Sequence, residues 1–439
     1  MNAPVDLLTA AEAEAAERRV AGGLVAAGLV GGDRVALAVP SSTALLVATL
    51  GALRSGVVPV LIDPALTPGE RDDLLSDADP ALVVDAGALA RLLDGPPVEL
   101  APAPVARPLH YTSGTTGRPR GVWSGVLGEA EASALLREEV DLWGFSADDV
   151  HLVCSPLHHS APLRFAAGTL LAGGAVAVLP RFGAEPFGAV VRRLRPTTTF
   201  VVPAHLQRLF GPGAPSPDLS SFRLVAHAGA PCPEGLKRAA LSALPDRTLW
   251  EFYGSTEGQF SACSPEEWQE RPGTVGRARP GRSLDVDDTG VVWCRPPAQG
   301  RFEYWRDPAA TAEAWRGDAF TVGDLGRLDG DGYLFLEGRR HDLVITGGVN
   351  VRPQEVERAL LEVPGVEDAA VFGAPDERWG QRLCAAVVVD GVDEAALRAF
   401  TAGRLAPTKR PKDFFVVADL PRTANGKVRR RDLPGWCRA

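Results

Sequence analysis

The sequence predicts an α/β fold in two domains: a large N-terminal one of parallel and mixed sheets with flanking helices, and a small α+β one at the C-terminus. Three observations support this. At 439 residues the chain is too long for one hydrophobic core. Short apolar, β-branched runs alternate with helical patterns from residue 35 onward, the spacing of right-handed βαβ units in a parallel sheet. Near Arg339-Arg340-His341-Asp342 the character changes, and the remainder, about a hundred residues, suits a small domain. The expected division is 1–341 and 342–439.

Residues 7–29 are rich in alanine and glutamate with apolar residues at helical spacing, so they predict an amphipathic helix. A strand over 35–39, a helix over 43–55 and a strand over 57–62 form the first βαβ unit, and 81–85 continues the alternation. The Gly/Pro-containing segment 95–108 is a connector. Further on, 150–153 is a strand, 170–179 is apolar and glycine-rich, and 186–194 is a helix. Residues 199–203 and 223–227 read as parallel strands, the second running into Ala228-Gly229-Ala230-Pro231. Open α/β sheets bind ligands beyond their strand carboxyl ends, so both endings are site candidates. In the last hundred residues a helix over 353–361 precedes strands over 369–372 and 384–389.

Composition narrows the function. The net charge of −9 argues against a nucleic-acid partner, which needs a basic surface. No apolar run approaches the ~20 residues of a membrane helix, and no basic-then-apolar leader is visible. The six cysteines lie far apart without C-x-x-C spacing, as expected of free thiols in a reducing cytoplasm. His110, His151, His205, His227 and His341 show no metal-ligand spacing, so no zinc is assigned.

One stretch organises the rest: Tyr111-Thr112-Ser113-Gly114-Thr115-Thr116-Gly117-Arg118-Pro119-Arg120-Gly121-Val122. It reads as a loop leaving a short strand. Its glycines let the backbone bend sharply and approach a ligand, and its successive amides suit a nest for phosphate oxygens. The Gly-Lys-Ser/Thr ending of a Walker loop is absent. The stretch resembles the phosphate loop of the adenylate-forming enzymes, the superfamily of acyl-CoA synthetases, peptide-synthetase adenylation domains and luciferases, whose pattern is Thr-Ser-Gly-Thr-Thr-Gly-x-Pro-Lys-Gly. Arg120 stands where lysine is usual, keeping the charge but exchanging a compact ammonium for a planar fork.

The resemblance covers nearly the whole chain, on a shortened N-terminal domain, and implies roles for named residues. Ser113, Gly114, Thr115, Thr116, Gly117 and Arg120 would hold the phosphates of ATP, with Thr112 among the catalytic residues. In Glu251-Phe252-Tyr253-Gly254-Ser255-Thr256-Glu257-Gly258, Tyr253 would lie against adenine, Gly254 close to the nucleotide, Thr256 at a phosphate and Glu257 on Mg²⁺. Gly229, Ala230 and Pro231 would line the adenine pocket. Asp324 would accept both ribose hydroxyls, as one carboxylate can, with Arg339 near ribose and phosphate. Asp342 would be the hinge of a mobile C-terminal domain, and Gly347 and Gly348 would guide the CoA thiol arm. Lys427 would be the adenylation lysine, because a carboxylate attacking the α-phosphate needs a cation between two anions. His159 would gate the passage between acid pocket and thiol tunnel.

Arg164 departs from the relatives, which carry a small or apolar residue there. Pointing inward, it would line the substrate pocket and pair with a second carboxylate or other anion; placement at the surface is the expectation, since arginine is mostly exposed. The function implied is activation of a small carboxylic acid as acyl-AMP with ATP and Mg²⁺, then transfer to CoA, by a monomer or homodimer in the cytoplasm. The alternatives are transfer to a carrier-protein phosphopantetheine, activation of a non-carboxylic acid such as nitrite, and a nucleotide-binding regulator without chemistry.

Overall fold

The computed structural model describes residues 5–112, 120–211, 213–215, 217–422 and 428–437. The N-terminal part is built on an eight-stranded mixed sheet. Five of its strands run parallel, in the order Ala175–Val178, Val150–Val153, Thr198–Val201, Leu224–His227 and Leu249–Gly254. Gln259–Cys263 and Arg277–Ala278 extend it antiparallel on one side, and Leu7–Thr9 edges it on the other. The parallel strands are buried along most of their length because both faces are covered, and the polar residues they carry, such as His151, Thr198 and His227, are buried with them. Phe187, Val191, Leu206 and Leu236 from three helices pack on one face. On the other, Trp143 and Phe165 from the helices Glu129–Trp143 and Ser160–Leu171 meet Phe200 and Phe252.

The first βαβ unit forms a separate three-stranded parallel sheet, with Arg34–Leu37 between Val58–Leu61 and Leu82–Val84. Its helix Thr43–Arg54 is buried from Leu45 onward because the helix Ala10–Ala26 packs over it. Among the described residues no helix is long and apolar enough to cross a membrane.

Local signals and long-range pairing disagree at the N-terminus. The helix expected over 7–29 begins only at Ala10, because Leu7–Thr9 pair with Ala175–Val178. Thr9 then caps the helix: its hydroxyl accepts from the Glu12 amide, and the Glu12 carboxylate accepts from the Thr9 amide. Likewise the strand expected to reach residue 203 stops at Val201, since Pro203 opens a helix to Phe210.

In the C-terminal part, Val366–Asp376 and Gly380–Val389 form one long antiparallel hairpin that contains both expected strands. Asp413–Val416 joins it parallel, and the helices Pro353–Leu361 and Glu394–Arg404 cover a face of this sheet through Val356, Leu360 and Leu397. Val344–Thr346 and Val349–Val351 are joined by Gly347 and Gly348 alone, with φ of +57° and +79°. A two-residue hairpin with both φ positive strongly prefers glycine, so the turn itself explains this pair.

Several imidazoles are buried in the N-terminal part. Burial brings His151 down to about 3, and burial with the nearby Arg107 brings His110 to about 4. Between these values and about 6.5, the unfolded chain binds protons that the folded chain does not, so stability falls as pH falls. The urea midpoint is expected to drop between about pH 7.5 and pH 5, and His151→Asn should reduce proton uptake on unfolding at about pH 5 by roughly one. An unchanged uptake would place the imidazole proton elsewhere.

Candidate active site

The segment that resembles a phosphate loop is bordered by two described strands. Its flanking strands His110–Thr112 and Arg120–Trp123 pair antiparallel, with Thr112 opposite Arg120. The Thr112 hydroxyl donates to the Arg120 carbonyl at 3.4 Å. Ser113, Gly114, Thr115, Thr116 and Gly117 lie outside the described residues, as does Lys427.

Glu257 is tied to that strand pair through Tyr304. The Tyr304 hydroxyl donates to the Glu257 carboxylate at 2.9 Å, and Tyr304 pairs with Val122 across the strands. The Arg120 guanidinium lies 4.7 Å from the centre of the Tyr304 ring and 3.7 Å from Asp307. Sequence reasoning missed Tyr304, which sits in no motif. Glu257 itself is half-buried, in a turn closed by the Ser255 amide donating to the Gly258 carbonyl at 2.8 Å. Thr256 precedes it within the turn, and Gly254 leads into the turn at an irregularity in the strand pairing.

Asp324 is buried beside this turn. Tyr253 donates its hydroxyl to Asp324 Oδ2 at 2.6 Å, and Arg339 Nε approaches Oδ1 at 2.8 Å. The pair with Arg339 follows from register, since the two residues face each other across the antiparallel strands Asp324–Leu328 and Leu334–Arg339. Burial raises the Tyr253 phenol well above its ordinary range, and the Asp324 charge adds to it. That same charge raises Arg339. Each Asp324 oxygen keeps a lone pair for a further donor. The structure therefore brings together Tyr253, Asp324 and Arg339, and separately Arg120 and Glu257.

Gly229, Ala230 and Pro231 form the turn beyond the strand Leu224–His227, with Gly229 at φ +92°. Beneath it lies a buried group that the sequence did not suggest. Lys237 Nζ is 2.6 Å from His227 Nε2 and donates to Glu251 at 2.8 Å. Burial and the Lys237 charge hold His227 neutral, well below its usual range.

His159 caps the helix Ser160–Leu171, and its ring meets His158 edge-on at 4.2 Å. Asp342 lies 3.4 Å from Arg430 Nε, and the same guanidinium forks onto Glu357. Gly347 and Gly348 form an exposed turn, over which the Trp379 ring lies.

Arg164 is not at the surface. Its side chain is 15% exposed, its guanidinium lies 5.8 Å from the Phe252 ring, and Nε is 3.6 Å from Glu139. It lies against the neighbouring helix Glu129–Trp143 and the strand Leu249–Gly254, and Glu139 supplies the counter-charge. Burial alone would raise that glutamate, but Arg164 and Arg279 overcome this and bring it to about 2. Arg279 and Arg282 also bind Glu138. These partners stand too far apart in the chain for any local pattern to signal them.

Comparison with known proteins places this geometry in context. Residues 4–107 and 107–299 match the AMP-binding enzyme family, and 355–427 match its AMP-binding enzyme C-terminal domain. The indoleacetate–CoA ligase of Aromatoleum aromaticum is 37% identical over 341 residues, 74% of this chain and 66% of that protein. A feruloyl-CoA synthase from an Amycolatopsis species is 35% identical, over 96% of this chain and 92% of that one. ATP-bound MatB from Rhodopseudomonas palustris superposes with a TM-score of 0.83 at 32% identity, over 96% of this chain and 92% of that one. Apo MatB superposes at 0.73 over 97% and 92%.

Among the described residues no group of three or more His, Cys, Asp or Glu side chains gathers to hold a metal. One oriented carboxylate, Glu257, suits Mg²⁺, which keeps few protein ligands and takes the rest from phosphates and water. Removing the Tyr304 hydroxyl should loosen that carboxylate. Tyr304→Phe is expected to raise the Mg²⁺ concentration for half-maximal ATP–pyrophosphate exchange by roughly tenfold. An unchanged Mg²⁺ dependence would separate Glu257 from the metal.

Proposed function

The chain belongs to the AMP-binding enzyme family, and on that premise we propose how its residues divide the work of an ATP-dependent acyl-CoA ligase. The ligase joins a carboxylic acid to ATP as acyl-AMP, releasing pyrophosphate, and the CoA thiol then displaces AMP. The observation that carries the assignment of roles is the buried Asp324 carboxylate, gripped by Tyr253 and Arg339. Ribose hydroxyls donate to its remaining lone pairs, while Tyr253 and the turn Gly229-Ala230-Pro231 border the base. Arg339 pairs with Asp324 and extends toward the phosphates.

Glu257, aimed by Tyr304, and the phosphate loop from Thr112 to Arg120 cradle the triphosphate, with Thr256 alongside. Mg²⁺, when bound, neutralises phosphate charge. Arg120 replaces a mobile ammonium by a fork already stacked on Tyr304, which favours a fixed direction of approach. Lys427 supplies the cation between the attacking carboxylate and the α-phosphate. His159 closes the passage between the acid and the thiol.

Two half-reactions in one site need two arrangements of catalytic groups. We assign the division to residues 1–341 and 342–439, with rotation about Asp342. The pair of Asp342 with Arg430, three residues beyond Lys427, links the hinge to the segment that carries the lysine. The better superposition on ATP-bound than on apo MatB supports the adenylate-forming arrangement for this conformation. Rotation then withdraws Lys427 and brings the Gly347-Gly348 turn to guide the thiol. Six cysteines without a disulfide accord with work in the cytoplasm, as a monomer or homodimer.

Lys427→Ala should reduce ATP–pyrophosphate exchange by at least about 100-fold while sparing thioester formation from preformed acyl-AMP. Loss of both steps would give Lys427 another role. Transfer to a phosphopantetheine protein, and none to CoA, would replace CoA as acceptor.

A further inference from the structure

Arg164 is a buried cation whose hydrogen bonds are unfilled. None of its three guanidinium nitrogens has a hydrogen-bond partner, and all are buried. The approach to Glu139, 3.6 Å, is too long for a hydrogen bond. Glu139 is already engaged, accepting from Arg279 at 2.7 Å and from the Trp143 indole at 3.1 Å. Beyond Glu139, the groups that act most strongly on Arg164 are all positive: Arg279, Arg107 and Arg282. Set against Glu138 and Glu139, these four guanidiniums leave two positive charges in excess.

Such an arrangement is costly. A buried charge without hydrogen bonds forfeits its hydration, and neighbouring like charges deepen the loss. An anion arriving between these groups relieves both terms, and a carboxylate matches the guanidinium fork with two parallel hydrogen bonds.

The position of Arg164 says which molecule brings that anion. It follows His159 by five residues, about 7.5 Å along the helix that His159 caps. One side of the guanidinium faces the Phe252 ring, on the strand that continues into Tyr253 and Glu257. On another side it is near enough to His110 to oppose its protonation, and His110 opens the strand that enters the phosphate loop. Arg164 therefore faces the two strands that lead to the proposed nucleotide-binding segments, on the helix that begins at the proposed gate, and this is where the acid must sit.

We propose that the substrate is an acid bearing a second carboxylate, and that Arg164 receives this distal group while the first is adenylated. This rests on the ligase reading above and deepens it. Glu139 acts as a placeholder that keeps Arg164 aimed when the site is empty.

The test is ATP–pyrophosphate exchange by the full chain on matched pairs: succinate against butyrate, glutarate against pentanoate, and benzene-1,3-dicarboxylate against benzoate. The wild type should favour the diacid in at least one pair by roughly tenfold or more in kcat/KM. Arg164→Gln should remove roughly 10- to 100-fold of that diacid activity while changing the monoacid little. Preference for the monoacid in every pair, or equal loss on both members, overturns the proposal and leaves the ligase reading intact. Exchange with no acid at all would sink the ligase reading itself. Should Arg164→Gln fail to fold, the wild-type ratios decide alone.

Discussion

A single buried carboxylate holds the proposed nucleotide half of this site together. Asp324 is taken out of water, and in return a phenol donates to one oxygen and a guanidinium to the other. Removing either partner leaves an anion in a poor solvent, a cost well above that of an ordinary surface pair. The three residues come from three strands, so the pairing also locks the hairpin Asp324–Leu328 and Leu334–Arg339 against the central sheet. Asp342 follows three residues after Arg339, so the proposed point of articulation lies just beyond the last paired residue of this hairpin.

Around this anchor, charge is placed by tethers rather than by a cage. Glu257 is held by one hydroxyl, from Tyr304, which belongs to a strand beside the phosphate hairpin. Arg120 stacks on the same ring. The Glu257 turn and the strand that carries Arg120 are thereby coupled through one aromatic side chain that belongs to neither. Such coupling lets a ligand that arrives with its own phosphates and metal complete the electrostatics, and it suits a chemistry in which the charge comes and goes with the substrate.

On the far side of the central sheet the balance is different. His227, Lys237 and Glu251 bond to one another inside the protein beneath the turn Gly229-Ala230-Pro231, with His227 Nδ1 left without a partner. In the Arg164 group the guanidinium nitrogens lack hydrogen bonds. Both clusters are buried and ionisable, and they differ at the cation: Lys237 is hydrogen-bonded to two groups, whereas Arg164 is bonded to none.

What the sequence determined by itself was local. The helix Pro353–Leu361 and the strand Val150–Val153 have the expected bounds, and Thr43–Arg54 stops one residue short. Periodicity and caps act within a turn or two of the chain. The phosphate-loop pattern and the Tyr253–Glu257 segment were legible for the same reason, because their residue order is contiguous. Only the tertiary structure decided what lay between distant segments: the edge strand Leu7–Thr9, the grip of Tyr253 on Asp324, the tether from Tyr304 to Glu257, and the inward turn of Arg164. Propensity placed that arginine at the surface, because a lone cation prefers water. Glu139, on a neighbouring helix, and the Phe252 ring, far along the chain, made burial tolerable, and desolvation depends on which groups finally surround a charge.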